Sequence, residues 1–443
     1  MQTIQPPFGN TLKILGKPKS SETGLRWMTY VLSQKVEGGV LLFHVLTREL
    51  LLLTSEEYAR WDSLTELRDK WFLVPEDLKD QKYADQLRFI WRAMQKKSEH
   101  IKNYTIFTTT DCNARCFYCY ELGRSRIPMG ESVARKAAAY IAKHCGEEKK
   151  VRLSWFGGEP LFNKEVIDII CRELAEQGIE YESNVISNGY LFGAETVQQA
   201  IEKWNLKWVQ IAMDGTEEIY NRSKAYIYKE ESSPYQVVMK NIGHLLDAGV
   251  HVSVRMNMDK HNAENLFVLT DELHELFAGR KNLTAYSHML FTFAGPKEQI
   301  RAAEDRQELF LQRQRLRDKL IAYGMWKMHT LKKNNAVNKC MADSRNSLTI
   351  LPNGDLGLCE HYSDDNYVGH IDTEELDQVM VESFREQWPA TKECERCFYY
   401  PECIRLKKCE EQRECFLETR EEYRQNLLEG MQLVYEAWLK KET

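Results

Sequence analysis

The sequence predicts an α/β protein: a partial (βα)6 barrel set between a small N-terminal α+β (winged-helix-like) domain and a cysteine-rich C-terminal domain. Three observations lead there. Strand and helix patterns alternate regularly from about residue 103 to residue 295. In the first hundred residues, which hold no cysteine, strand patterns precede helical ones. Seven of the twelve cysteines fall between residues 340 and 415. Regular alternation implies a parallel sheet with helical crossovers, whereas strands followed by helices imply a separate α+β unit. A chain of 443 residues is also too long for one ordinary core. The expected boundaries are 1–100, 101–300, a bridging helix and linker over 301–339, and 340–443.

The elements follow in order. Arg26–Val36 reads as a strand, and Glu37-Gly38-Gly39 as a turn. Val40–Leu53, rich in apolar and β-branched residues, supplies one or two more strands. Thr54-Ser55-Glu56-Glu57 fits a capping box that opens a short helix. A second helix is expected over Glu76–Lys97, with Leu78, Tyr83, Leu87, Ile90 and Met94 near one face. The barrel strands are expected at Tyr104–Thr109, Val151–Trp155, Tyr181–Ser187, Trp208–Met213, His251–Asn257 and Leu283–Phe293. The helices between them are Glu131–His144, Lys164–Glu176, Ala194–Trp204, Pro234–Asp247 and Ala263–Leu276. Gly146, Gly178 and Gly249 stand just past the last periodic residue of three of these, as helix stops. A charged helix over Ala303–Tyr323 leads to a polar stretch around Lys332-Lys333-Asn334-Asn335. Glu418–Lys440 has helical composition. In such sheets chemistry gathers at the carboxyl ends of the strands.

Composition narrows the function. The net charge is −6 and no Lys/Arg run suggests a nucleic-acid surface. The opening MQTIQPPFGN lacks the layout of a signal peptide, and no apolar run has the length of a membrane span. A cytoplasmic protein that touches neither nucleic acid nor membrane is expected. In a reducing compartment clustered cysteines bind metal or do redox work more often than they form disulfides. Cys145 and Cys171 fall on expected helices and read as buried structural thiols.

Cys112-Asn-Ala-Arg-Cys116-Phe-Tyr-Cys119 follows the first barrel strand with C-x3-C-x2-C spacing. Three thiolates on one loop can hold three corners of a [4Fe–4S] cube and leave the fourth iron open for a ligand. A structural zinc ion wants four closed ligands, and no fourth cysteine or histidine lies nearby, so a zinc loop needs a distant partner. Gly157-Gly158-Glu159-Pro160 follows the second strand, Ser187-Asn188-Gly189 the third, and Asp214-Gly215 the fourth, with Arg222 shortly after. Asn257 ends the fifth. The triad with Tyr118 before its third cysteine, joined to these strand-end motifs, resembles the radical S-adenosylmethionine (SAM) enzymes. That resemblance implies that the cluster at Cys112, Cys116 and Cys119 cleaves SAM to methionine and a 5′-deoxyadenosyl radical, which takes a hydrogen atom from a substrate. It implies SAM contacts from Tyr118, Gly157, Gly158, Glu159 (through the SAM ammonium), Pro160, Ser187, Asn188 and Asp214, from Arg222 through the SAM carboxylate, and from Asn257.

Farther on stand Cys340, Cys359 (in G-x4-C from Gly354), Cys394, Cys397, Cys403, Cys409 and Cys415. The C-x2-C-x5-C run from Cys394 resembles the SPASM domain, the auxiliary-cluster module of radical SAM enzymes that modify peptides and proteins. The Pro352-Asn353-Gly354 turn before Cys359 would bring that thiol back toward Cys340. The two following gaps, both x5, depart from the usual pattern. The resemblance implies two auxiliary [4Fe–4S] clusters, with Cys340, Cys359 and Cys409 on one and Cys394, Cys397, Cys403 and Cys415 on the other. The first is then one ligand short, leaving an iron for a substrate thiolate, an aspartate, a histidine or water. A zinc ribbon is the competing reading of C-x2-C.

An N-terminal α+β domain ahead of this pair resembles the leader-peptide recognition element of ribosomal-peptide maturases, in which a leader adds a strand to a sheet edge. A cap that only stabilises the barrel is the alternative. The implied activity is a radical SAM peptide maturase acting on a ribosomally synthesised precursor peptide and installing a thioether or carbon–carbon crosslink, with an electron donor such as flavodoxin or ferredoxin. A formylglycine-forming maturase of the anaerobic sulfatase type, a zinc-binding scaffold and an electron-transfer protein are the alternatives.

Overall fold

A computed structural model describes residues 1–16, 24–94, 100–119, 121, 124–228, 233–290, 303–332, 340–344, 346–361, 366–373, 375–409, 415 and 417–442. It divides into two compact units. One comprises Met1–Lys97, Met328–Lys339 and Phe384–Thr443, and the other Ser98–Lys327 and Cys340–Ser383. The region expected as one C-terminal domain is therefore shared. Cys340 and Cys359 belong to the second unit, and the five later cysteines to the first.

The first unit begins with β1 (Gln2–Gln5), α1 (Thr11–Leu15), β2 (Leu25–Trp27), β3 (Val31–Val36), β4 (Gly39–His44), β5 (Leu50–Leu53), α2 (Ser55–Ala59), α3 (Thr65–Asp69), β6 (Leu73–Pro75) and α4 (Asp80–Met94). β1, β5, β4 and β3 form an antiparallel sheet in that order, and β2 pairs with β6. The single strand expected over Arg26–Val36 is broken because a turn intervenes: Val31 N–H donates to the Met28 carbonyl, and Thr29 N–H to the Asp80 carboxylate at 2.7 Å. The expected capping box forms. Thr54 Oγ1 accepts from Glu57 N–H at 3.2 Å, and the Glu57 carboxylate accepts from Thr54 N–H at 2.9 Å. The helix expected from Glu76 starts at Asp80, so Leu78 precedes it.

The second unit carries β7 (Asn103–Thr109), α5 (Glu131–His144), β8 (Lys150–Gly157), α6 (Lys164–Glu176), β9 (Glu180–Ser187), α7 (Ala194–Trp204), β10 (Leu206–Met213), α8 (Glu217–Lys224), α9 (Pro234–Asp247), β11 (His251–Met258), α10 (Ala263–Phe277), β12 (Leu283–Met289), α11 (Ala303–Ala322), β13 (Ser347–Ile350), β14 (Asp355–Gly357), β15 (Gly369–His370) and α12 (Gln378–Ser383). β7 to β12 are parallel neighbours in chain order, the arrangement expected of a (βα)6 half-barrel. β13 adds to β7 in parallel, and β14 and β15 continue antiparallel. Side chains alternate strictly along the strands. Leu153, Trp155, Val185, Val209, Ile211, Val252 and Val254 are buried on one face. The other carries Ser154, Asn184, Gln210, Arg255, Asn257, Tyr286 and His288. The apolar face holds the sheet to its helices, at about 1.5–3 kcal/mol for each fully buried aliphatic side chain.

Back in the first unit, α13 (Leu417–Glu442) lays Leu427, Met431 and Tyr435 into one core with Leu41, Phe43, Trp71 and Leu87, and Cys394, Cys397 and Tyr400 share it. Arg48, whose backbone is left-handed at φ 62°, pairs with Glu402 at 2.7 Å with both side chains buried. Among the described residues no helix is long and apolar enough to cross a membrane. The ends of the expected strand Leu283–Phe293 and helix Glu76–Lys97, and the stretch Lys333-Asn334-Asn335, lie outside the described residues.

Candidate active site

β7 ends at Thr109 and the chain turns at once into the cysteine loop. Asp111 fixes the turn: its N–H donates to Thr109 Oγ1 at 2.9 Å, and its carboxylate accepts from Cys112 N–H at 2.8 Å. Arg115 and Arg126 stand 3.7 and 3.5 Å from the same carboxylate. Cys119 N–H donates to the Cys116 carbonyl at 3.2 Å, closing a tight turn between the last two thiols. The two glycines after β8 brace this loop from the side. A Cβ on Gly157 would lie 2.1 Å from the Thr109 carbonyl oxygen, and one on Gly158 2.3 Å from that of Asp111. No side chain fits there. Their described role is thus contact with the cysteine loop's backbone.

Glu159 is fully buried. Its carboxylate accepts from Asn188 N–H at 2.8 Å, Ser187 Oγ at 2.9 Å and Leu161 N–H at 3.2 Å. Burial pushes its carboxyl up to about 7, against those donors and the positive charge of Lys224. Glu159 and Ser187 therefore tie the ends of β8 and β9 together, and Pro160 caps the same turn, its carbonyl accepting from Thr108 Oγ1 at 2.9 Å. The Asn188 side-chain amide reaches the loop, donating to Asn113 Oδ1 at 2.6 Å and lying 3.8 Å from Cys112 Sγ.

At the ends of β10 and β11 the structure gathers Tyr118, Asp214 and Asn257 with a residue that sequence reading missed, Lys224. Tyr118 O–H lies 2.8 and 2.9 Å from the two Asp214 oxygens. Lys224 Nζ donates to Tyr118 at 2.7 Å and stands 3.2 Å from Asp214, with both charged side chains 2% exposed. Asn257 donates to Asp214 at 2.9 Å and to Tyr118 at 3.1 Å. Asn262 holds the frame through the backbone carbonyls of Asp214 and Asn257. Burial would depress the Lys224 ammonium, but the negative charge of Asp214 and of the Cys116 and Cys112 thiolates overcomes it and holds the group above its ordinary value. Arg222 is placed elsewhere: its side chain is 70% exposed, beside Glu218. Helical period separates the two. Tyr220, Ser223 and Lys224, at i, i+3 and i+4, share the buried face of α8, and residue 222 falls off it. That spacing was present in the sequence.

Would these residues suit an iron–sulfur cube? Burial, then the Glu159 charge, pushes the Cys112 thiol up to about 12. Cys116 and Cys119 are raised too, burial leading in both. Thiolates in such a place call for a strong cationic centre to keep them ionised. Ala114 N–H points at Cys112 Sγ at 3.3 Å, the kind of donor that tunes a cluster's potential. The amide nitrogen of the fully buried Asn113 has no hydrogen-bond partner. The donor set fits a cluster-held ligand site. Among the described residues no three His, Cys, Asp or Glu side chains surround one point as a single ion needs.

The later cysteines sit in two places. In the second unit the β13–β14 hairpin turns at Gly354, with φ 95°, and leads to Cys359, whose sulfur accepts from His361 N–H at 3.4 Å. In the first unit Cys394 sulfur accepts from Thr391 N–H at 3.4 Å. Burial pushes the Cys403 thiol up to about 11, with smaller effects from Cys397 and Cys415. Cys340 opens a turn that receives Ser344 N–H, and Cys409 one that follows Leu406.

The comparisons agree with this geometry. Residues 106–271 match the Radical SAM superfamily, and residues 340–398 match SPASM, an iron–sulfur cluster-binding domain. A probable GTP 3′,8-cyclase of Archaeoglobus fulgidus is 28% identical over 158 residues, 36% of this chain and 49% of its own length. The GTP 3′,8-cyclase of Moorella thermoacetica is 30% identical over 27% of this chain and 37% of its own length. The chain thus spans about half, or less, of the curated relatives it matches. In fold it is similar to anSMEcpe with bound AdoMet, at TM-score 0.57 and 13% identity over 76% of this chain and 99% of the other. It is likewise similar to Streptococcus suis SuiB bound to S-adenosylmethionine, at TM-score 0.53 and 14% identity over 85% of this chain and 94% of the other.

Proposed function

We propose that this chain, which matches the Radical SAM superfamily and SPASM models, is a radical SAM enzyme that uses [4Fe–4S] clusters and SAM to modify a ribosomally made precursor peptide, installing a thioether or carbon–carbon crosslink. The observation that carries the reading is the cysteine loop at the end of β7, braced by Gly157 and Gly158 and backed by the Tyr118–Asp214–Lys224–Asn257 network. Bound there, the cluster supplies reductive cleavage of SAM to the 5′-deoxyadenosyl radical. The chain's own residues do the rest. Cys112, Cys116 and Cys119 would hold the cluster. Lys224 and Asp214 fix Tyr118 beside the loop in a site with little water, where charges act strongly. Lys224, turned inward where Arg222 is not, is the cation we assign to the SAM carboxylate, with Asn188, Asp214 and Asn257 around the rest of the cofactor.

Three things favour a peptide as substrate. The SPASM match accompanies the barrel in one chain. Fold relatives include anSMEcpe with a bound peptide, at TM-score 0.56, and SuiB bound to precursor peptide SuiA, at 0.51. Finally, the N-terminal sheet offers an edge. β3 is the last strand in its order, paired among the described residues to β4 alone, and its N–H and C=O groups suit an added leader strand. We assign Cys394, Cys397, Cys403 and Cys415, all in the first unit, to one auxiliary cluster.

The test is anaerobic reconstitution followed by SAM and dithionite. Cleavage should yield 5′-deoxyadenosine, and Cys116→Ala should abolish it. Co-expression with short open reading frames beside the gene should then give a peptide lighter by two hydrogens, with a leaderless version processed more slowly. Formation of 5′-deoxyadenosine with no peptide altered, or turnover of GTP instead, would overturn the peptide assignment.

A further inference from the structure

Resting on the peptide reading above, we propose that Arg255, with His288 beside it, forms a subsite for the carboxylate of an acidic residue in the peptide being modified. The position follows from register. On β11, Val252, Val254 and Met256 turn into the helix layer and are fully buried. Arg255 and Asn257 therefore share the opposite face. Asn257 is the residue that holds Tyr118 and Asp214. Arg255 lies one pleat away, about 7 Å along the strand. His288 pairs directly with Asn257, and Tyr286 with Arg255. Arg255 and His288 thus stand next to the Tyr118–Asp214–Asn257 network, on the face opposite Val252, Val254 and Met256.

Arg255 differs from its neighbours in its hydrogen bonding. Several polar groups on that face pair with one another: Ser154 with Asn184 at 2.7 Å, Gln210 with Tyr286 at 2.7 Å, His251 with Thr284 at 2.9 Å. Arg255 Nε is buried without a hydrogen-bond partner, and among the described residues no carboxylate lies within ion-pair distance of this guanidinium. Ala212, its register partner on β10, presents only a methyl group and leaves room over the fork. Burial and the positive charges of Arg255 and Arg313 push His288 down to about 3, so its imidazole stays neutral and free of any demand for a counter-ion.

A half-buried guanidinium with unused donors is costly and is satisfied best by a planar bidentate acceptor. One fork beside a neutral imidazole matches one carboxylate. A triphosphate, with three or more negative charges, would ask for more cations than Arg255 and the nearby Arg313, whose Nε donates to the Ser287 carbonyl at 3.0 Å, present.

The test uses reconstituted, SAM-loaded full-length enzyme under anaerobic calorimetry, with tetraglutamate, tetraglutamine and GTP as probes. Tetraglutamate should bind at least about tenfold more tightly than tetraglutamine, the ratio expected from one charge-assisted pair. Arg255→Met should bring that ratio near one, and Arg255→Lys should keep part of it. Iron content and melting temperature report whether each variant is folded, and the lysine variant carries the test if the methionine one is not. Equal binding of the two peptides by wild type, or a ratio that survives Arg255→Met, would overturn the proposal. So would a matching loss of SAM affinity, which would put the fork on the methionine carboxylate. Tight GTP binding lost in Arg255→Met would overturn the peptide reading as well. Failure of that reading alone would show separately, as 5′-deoxyadenosine made with every precursor mass unchanged.

Discussion

Replacing Lys224 with methionine isolates the charge pair behind the cysteine loop, because methionine keeps most of the hydrocarbon stem and removes the ammonium. Lys224 Nζ is 3.2 Å from Asp214 and 2.7 Å from Tyr118, and both charged side chains are 2% exposed. Removing one partner of a buried pair costs about 3–5 kcal/mol, since the other charge is left uncompensated. Asp214 retains the Tyr118 hydroxyl and the Asn257 amide as donors, which sets the expectation near the lower end, about 3 kcal/mol. In a unit of this size each kcal/mol moves the melting midpoint by about 2–4 °C, so the barrel should melt roughly 6–12 °C lower. Scanning calorimetry of the apo-protein measures the shift, and amide exchange in β10 and α8 localises it. Lys224→Met combined with Asp214→Asn should recover more than half of the loss, as no charge then remains buried. A drop under about 2 °C for the single variant, or a double variant as unstable as the two losses added, would refute the argument.

The fully buried His44 donates from Nε2 to the Trp71 carbonyl at 3.1 Å and accepts Leu46 and Thr47 N–H at Nδ1, so it is neutral in the fold. Burial holds it down at about 4 from an ordinary 6.5. Stability of the first unit should therefore fall as pH drops from about 6.5 to about 4, by about 3 kcal/mol in all, and then level off; urea midpoints across that range check it, and a flat profile sinks it. Gly158→Ala forces a Cβ against the Asp111 carbonyl and should lose most of the cluster iron in a colorimetric assay, while Gly193→Ala, which meets nothing, should keep it. Arg48→Met should cost about 3–5 kcal/mol by stranding Glu402 and lower auxiliary-cluster iron; Arg48→Met with Glu402→Leu should restore both, and equal iron in all three proteins would count against the link.

How much was legible in the sequence depends on which forces act. The barrel helices over Glu131–His144, Lys164–Glu176, Ala194–Trp204 and Pro234–Asp247 begin and end where their apolar period and stop signals place them. The six strands were readable because one face is apolar throughout. α8 was not read, since its eight residues average too polar to stand out, and only Tyr220, Ser223 and Lys224 turn inward. Arg222 was named by residue type, whereas the helical period puts Lys224 on the buried face. β1, β6 and β13 are short edge or pairing strands whose partners are distant in sequence, so no local signal announces them. The strand-end motifs were visible as separate marks. Their joint arrangement, with Glu159 gripping Ser187 and Asn188 while Tyr118, Asp214 and Asn257 close on Lys224, belongs to tertiary structure.

The N-terminal module cannot be treated as a detachable reader of leader peptides. Its sheet and α4 share a core with Cys394, Cys397, Tyr400 and the final helix. Arg88 donates to the Tyr400 carbonyl, and Tyr400 donates to the Asp85 carboxylate. The Arg48–Glu402 pair sits one residue from Cys403. Deleting the first 95 residues would expose that core and leave Glu402 buried without its cation, so lost peptide turnover after truncation would say nothing about leader recognition. A decisive version leaves the polypeptide whole and changes the substrate. If the leader binds at β3, a leaderless peptide loses turnover while the iron count stays constant; if the module only supports the auxiliary loop, leader and leaderless peptides react alike, and only substitutions in the shared core lower the iron.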